Sequence, residues 1–143
     1  MNILLRNQYK FSFIIENYGR EIPEDTCFHF EIAGDILDEE LINLFNSAPK
    51  GSIQLEIGLQ SFNEETLLAV NRKTNTQKLT ENIKKLIKPR NIHVHIDLIA
   101  GLPLENYESF KDSFNKAYSL MPHMLQLGFL KFLHGSDLKE NPY

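Results

Sequence analysis

Between residues 52 and 60, and again between 92 and 99, apolar and polar side chains alternate one for one. In the first stretch Ile53, Leu55, Ile57 and Leu59 share one face, and Gln54, Glu56, Gly58 and Gln60 share the other. In the second, Ile92, Val94, Ile96 and Leu98 oppose His93, His95, Asp97 and Ile99. A period of two marks a strand with only one face in the core. These patterns predict strands at Ser52–Leu59 and Ile92–Ile99. A shorter stretch, Cys27–Ala33 (CFHFEIA), sets Phe28, Phe30 and Ile32 against His29 and Glu31, and Leu125–Leu133 supplies a fourth strand.

Helical spacing fills the intervals. Asp38 caps a helix reaching about Ala48, and Asn63 caps a short one (NEETLLAVNR). Thr76 caps a longer helix ending at Pro89, and Glu105–Leu120 forms another ahead of Pro122. Upstream, Phe11, Ile14, Ile15 and Tyr18 recur at helical spacing before Gly19. Strands alternating with helices give right-handed βαβ units and a parallel sheet.

A doubly wound sheet buries both faces of each strand and reads as continuously apolar. These strands do not. The amphipathic helices must cover the apolar face, which turns the polar face toward the lumen side of a barrel. A closed barrel normally fills its lumen with branched apolar side chains. Glu, Gln, His and Asp there would be unpaired unless a polar ligand or water met them. The alternative is an open sheet whose polar face sees solvent. The predicted fold class is therefore α/β, a partial (β/α) TIM-type barrel of about four parallel strands with covering helices. It forms one domain over residues 1–143.

Composition narrows the function. With 42% apolar and 24% charged residues the chain is an ordinary globular sequence. A formal charge of −4 argues against nucleic-acid or anionic-membrane partners, and no apolar run is long enough to span a bilayer. The single cysteine, Cys27, cannot form an internal disulfide, so a cytoplasmic location is expected. Cys27 itself reads as a small buried strand residue. Lys84, Lys85, Lys88 and Arg90 read as a solvated helix face, and Phe110, Phe114 and Tyr118 as core packing.

Three segments resemble radical S-adenosylmethionine (SAM) enzymes. They are Leu55-Glu56-Ile57-Gly58-Leu59-Gln60-Ser61-Phe62-Asn63 with Val70-Asn71-Arg72, His95-Ile96-Asp97-Leu98-Ile99-Ala100-Gly101-Leu102-Pro103, and Phe30-Glu31-Ile32-Ala33-Gly34-Asp35. Their order resembles barrel strands four, five and three of that superfamily, and Leu125–Lys131 resembles strand six. The wording is similar to the branch of coproporphyrinogen oxidase-like and cobalamin-binding radical SAM proteins, over roughly residues 11–138. The resemblance implies SAM as cofactor and small-molecule partner. It implies that Glu31, Gln60 and Asp97 hydrogen-bond the ribose and methionyl end of SAM. Arg72, on the adjacent helix, would pair with the SAM carboxylate, and Ile99 and Gly101 would lie along the adenine.

The departures carry equal weight. The superfamily's Cys-x₃-Cys-x₂-Cys loop, which holds a [4Fe–4S] cluster, is absent, as is the glycine-rich segment that binds the SAM amino group. The expected function is that of a fragment of a radical SAM iron–sulfur oxidoreductase, a SAM-binding half-barrel inactive alone. The alternative is a non-catalytic binding or interaction module, with self-association through open sheet edges; whether the chain is an enzyme stays open. No catalytic residue and no metal site is assigned. His93 and His95 have the H-x-H spacing of metallohydrolases, but no third ligand stands at motif spacing, so hydrogen-bonded lumen histidines are expected.

Overall fold

The computed structural model describes residues 26–132. The helix expected at Phe11–Tyr18 lies outside the described residues. The chain runs β1 (Phe28–Ile32), a 3-10 turn (Gly34–Ile36), α1 (Glu39–Ser47), β2 (Ile53–Gln60), α2 (Glu64–Ala69), α3 (Thr76–Ile87), β3 (His93–Ala100), α4 (Tyr107–Ser119) and β4 (Met124–Phe129). The strands form one sheet in the order β1-β2-β3-β4, and every neighbouring pair is parallel. Sequential order with helical crossovers is the arc of a barrel wall rather than a doubly wound sheet.

The face assignments hold along β2, where burial alternates residue by residue: Ile53, Leu55, Ile57 and Leu59 are buried, and their neighbours only partly so. Val94, Ile96 and Leu98 of β3 join them in one core with Phe45 of α1 and Leu79, Ile83 and Leu86 of α3. His95 departs from the pattern, because it lies on the polar face and is nevertheless buried.

Helix starts are set by Asx caps. Asp38 accepts from the Leu41 N–H at 2.9 Å, and Asn63 from the Glu65 N–H at 3.0 Å. The cap of α3 is Asn75, which accepts from Lys78 N–H at 2.9 Å, and Thr76 is the first helical residue. Asn106, not Glu105, opens α4 by accepting from Ser109 N–H at 2.9 Å. Helix α2 stops at Ala69, three residues short of Arg72. Asn71 takes a positive φ of 56°, and the Arg72 N–H turns back to Leu67 C=O at 2.8 Å. Arg72 thus lies just past the helix rather than on it.

Three further expectations need correction. Cys27 is exposed, because β1 begins one residue later. Tyr118 is exposed, stacked on Phe114 outside the core, while Phe110 and Phe114 are partly buried against it. Strand β4 ends at Phe129, with Leu130 N–H closing the ladder onto Ala100 C=O at 2.9 Å. Lys84, Lys85, Lys88 and Arg90 are exposed as expected. Among the described residues β1 and β4 are the outer strands, and β4 exposes Met124, Leu127 and Phe129.

One buried amide ties the first crossover to the third helix. Asn82 of α3 donates from Nδ2 to Gly34 C=O at 2.8 Å and to Leu37 C=O at 3.0 Å. Asn82→Ala strands two buried carbonyls and is expected to cost about 2–3 kcal/mol in a urea unfolding series.

Candidate functional site

The site is built where β2 and β3 end. Their ladder pairs Glu56 with His95 and Gly58 with Asp97, then slips so that Gln60 pairs with Leu98. At the slip Gln60 takes a φ of 70°, a left-handed conformation unusual for a residue with a side chain. The side chain folds back over Gly58. A Cβ built at Gly58 would lie 2.6 Å from Gln60 Nε2 and 3.2 Å from an Arg72 terminal nitrogen. Arg72 completes the arrangement by donating to the Gly58 carbonyl at 2.5 Å. Gly58 is therefore the seat on which Gln60 and Arg72 meet, beside Asp97 on the next strand.

The other named residues surround this centre. Glu31 lies one row deeper, paired in register with Glu56. Ile99 lies one row beyond Asp97, paired with Gly128. Gly101 follows the end of β3 with φ +86°, and the space before its Cα is open. Glycine is needed there for its backbone conformation rather than for a close contact.

Burial sets the electrostatics. Asp97 is pushed up from 3.8 to about 7, first by burial, then by a hydrogen bond shared with Glu56 and the charges of Glu56 and Glu31; His29 opposes the shift. Burial also lowers Arg72, against the opposing attraction of Asp35. Gln60 Oε1, Arg72 Nε and Asp97 Oδ1 are buried with no hydrogen-bond partner among the described residues. Buried polar atoms without partners are uncommon, and these three belong to the residues that meet over and beside Gly58. A cleft of about 540 Å³ borders Arg72, Asp35, Leu67 and Thr74 but reaches neither Gln60 nor Asp97. The open sheet face, not that cleft, gathers the polar groups.

The loop after β2 is anchored from behind. Ser61 hydrogen-bonds Glu105 and approaches Ser113 Oγ at 3.2 Å, and Phe62 N–H donates to Ser113 Oγ at 2.9 Å. Burial raises the Glu105 carboxyl, with Ser61 and Ser113 opposing.

The two histidines of the H-x-H pair do not converge. The His93 ring lies 5.1 Å from that of His123, whereas His95 faces Glu56 and Asp97. His123 Nδ1 accepts from Val94 N–H at 3.1 Å, and burial and the nearby His93 and Arg90 charges lower its proton affinity. Gly58, Glu56 and His95 were not among the predicted binding residues. A glycine on the polar face of an otherwise regular strand was the available signal for the first.

The donor set fits the organic cofactor better than the cluster. Unpartnered Gln60, Asp97 and Arg72 atoms suit the hydroxyl and carboxylate groups of a SAM-like ligand. Cys27, the chain's one cysteine, is exposed ahead of β1, away from the strand ends that carry these groups. A cluster held by three thiolates does not fit this residue set.

Residues 4–117 match the Radical SAM superfamily. The chain is 28% identical over 109 residues to the oxygen-independent coproporphyrinogen-III oxidase-like protein HemZ of Bacillus subtilis, covering 76% of this chain and 21% of that protein. It is 30% identical over 128 residues to the tRNA-2-methylthio-N(6)-dimethylallyladenosine synthase of Dehalococcoides mccartyi, covering 75% and 29%. The fold is similar to coproporphyrinogen III oxidase (HemN) from Escherichia coli, described as a radical SAM enzyme. The TM-score is 0.73 at 22% identity, over 89% of this chain and 29% of that one. The chain thus spans less than a third of the length of these relatives. With four parallel strands on the arc of a TIM-type barrel, the chain belongs to the radical SAM superfamily, close to its coproporphyrinogen oxidase-like branch.

Proposed function

We propose that this half-barrel binds SAM across the polar ends of β2 and β3 and does not cleave it unaided. The observation that carries the reading is the meeting of Gln60 and Arg72 over Gly58, next to Asp97, with a partnerless buried atom on each of the three. Gln60 and Asp97 would hold the ribose hydroxyls and methionyl end, and Arg72 the carboxylate. Glu31 would support them from the row beneath, while Ile99 and Gly101 would leave room for the adenine ring. In the superfamily a [4Fe–4S] cluster supplies the electron that breaks SAM. The 143 residues contain one cysteine, so this chain cannot furnish three thiolates. The same cysteine usage favours a reducing, cytoplasmic setting, and no helix among the described residues is long and apolar enough to cross a membrane.

A second reading, a non-catalytic interaction module, is favoured by the exposed apolar residues on β4, an outer strand of the described sheet. Concentration-dependent sedimentation tests it: association is expected on this reading, and a monomer at all concentrations contradicts it.

Calorimetric titration with SAM tests the binding proposal. The parent chain is expected to bind, and Gln60→Ala with Asp97→Ala to abolish detectable binding. Gly58→Ala forces the Gln60 amide and Arg72 guanidinium aside while touching only the mobile ends of two side chains. It is expected to weaken SAM about tenfold while changing stability by less than about 1 kcal/mol. Absent binding by the parent, or binding indifferent to all three changes, contradicts the site. After anaerobic treatment with iron and sulfide, neither a stoichiometric cluster nor 5′-deoxyadenosine is expected. Appearance of both would overturn the proposed inactivity.

A further inference from the structure

Beneath the SAM face, the row formed by Glu56 and His95 presents a second constellation with Asp97. One ligand atom from each of the three side chains lies within 4.8 Å of the others. His95 Nε2 is 3.0 Å from Asp97 Oδ1, and His95 Nδ1 is 4.0 Å from Glu56 Oε2. The imidazole is only 7% exposed, yet neither of its nitrogens makes a hydrogen bond among the described residues. Asp97 Oδ1 makes none either, despite its distance from Nε2. A buried imidazole nitrogen and a carboxylate oxygen this close with no hydrogen bond between them are the arrangement that a shared cation would satisfy.

We propose that Glu56, His95 and Asp97 bind one divalent transition-metal cation of the zinc class, in the floor of the half-barrel. The spacing suits such an ion. Two ligands at about 2.1 Å from a tetrahedral metal are about 3.4 Å apart, so the 3.0 Å approach of His95 to Asp97 need open by only a few tenths of an ångström. A single imidazole nitrogen serves one ion, and with one such nitrogen counted the three ligand atoms still lie within 4.8 Å of one another, close enough for side-chain rotation of Glu56 to complete the set. One imidazole nitrogen with two carboxylates favours zinc and its first-row neighbours over calcium or magnesium, which prefer oxygen alone. All three side chains stand on paired, hydrogen-bonded strands, so the site is rigid. His29 Nε2 lies 2.8 Å from Glu56 Oε2, the oxygen nearer His95, and would hold that carboxylate from outside while its other oxygen turns to the ion. The site is distinct from the H-x-H pair, since His93 faces His123 instead.

The test uses the full chain, stripped with chelator, free of SAM and titrated with zinc chloride alone in a calorimeter. One zinc per chain is expected. His95→Gln and Glu56→Gln are each expected to weaken it about tenfold or more, while His93→Gln changes it less than about twofold. Circular dichroism melts establish that each variant is folded. Glu56 is the more exposed ligand, so its variant decides the matter if His95→Gln does not fold. Cobalt substitution gives an independent readout, visible d–d bands in the parent that are lost in Glu56→Gln. No saturable zinc uptake, or uptake that folded Glu56→Gln leaves unchanged, overturns the proposal. Asp97 is common to this site and to the proposed SAM site, so the zinc titration is run without SAM and read on His95→Gln and Glu56→Gln, neither of which is assigned to SAM.

Discussion

Replacing Phe45 with alanine is expected to destabilise the chain by about 3–5 kcal/mol, the range for removing a fully buried aromatic ring. Phe45 has no exposed surface, and its ring meets Phe30 of β1 at 6.5 Å between centroids, tilted by 59°. It comes from α1 and enters the core that the apolar faces of β1, β2 and β3 share with α3. No flexible group stands ready to fill the vacated volume, because Leu55, Val94 and Ile83 are themselves fully buried on rigid elements. Whole-domain stabilities are typically about 5–15 kcal/mol, so this one change removes a large part of the total. Urea unfolding is expected to show the midpoint falling by about 2 M with its slope unchanged. Phe129→Ala is the control: its ring is 80% exposed on β4, and a change within about 0.5 kcal/mol is expected. Equal costs at the two positions would contradict the assignment of the core to the helix-covered face.

The second large effect has the opposite sign. Asp97→Asn is expected to stabilise the ligand-free, metal-free chain at pH 8 by about 1–2 kcal/mol after allowing for solvent screening. The folded-state value of about 7 lies above the ordinary 3.8. Between those values the folded chain keeps a proton that the unfolded chain has released. Stability therefore falls as pH rises through that window and levels off above about 7. Asparagine has no charge to desolvate beside Glu56 and Glu31, so the variant loses this part of the pH dependence. Thermal melts at pH 4 and pH 8 measure it: the gain should be small at the lower pH and full at the higher. A variant less stable than the parent at pH 8 would mean that the ionised carboxylate is well accommodated. A cost of this kind is expected where a carboxylate is kept for binding rather than for folding.

The wall of the barrel was legible because β2 and β3 bury only one face. Period-two alternation over Ile53–Gln60 and His93–Ala100 specifies both the strand and its orientation. The caps at Asp38 and Asn63 were readable from residue type alone. Thr76 was misleading because its neighbour Asn75 is the better acceptor at that position. Cys27 and Tyr118 were misplaced because burial at an element's end depends on what packs there, which periodicity does not report.

The proposed binding residues were named one at a time from motif wording, but their meeting point was not. Gln60 reaches over Gly58 only because it adopts a positive φ at a register slip between β2 and β3. Sequence pattern announces such a conformation for glycine, not for glutamine. The approach of Glu56, His95 and Asp97 likewise depends on the β2–β3 register, since Glu56 lies far from the other two along the chain. His95 was readable as a lumen residue, whereas its lack of a hydrogen-bond partner is a property of the folded surroundings.

The most direct test of the account is a nitrogen-15 amide spectrum of the full chain titrated with SAM. The proposed site places the ligand on the polar ends of β2 and β3. The amides of Gly58 to Ser61 and of Asp97 to Gly101 are expected to shift together along one saturable curve. Those of the exposed helix faces around Glu40 and Lys84 are expected to stay fixed. Shifts concentrated on those helix faces, or no saturable shift at Gly58 and Asp97, would contradict the claim that this half-barrel holds SAM where its unpaired polar groups converge.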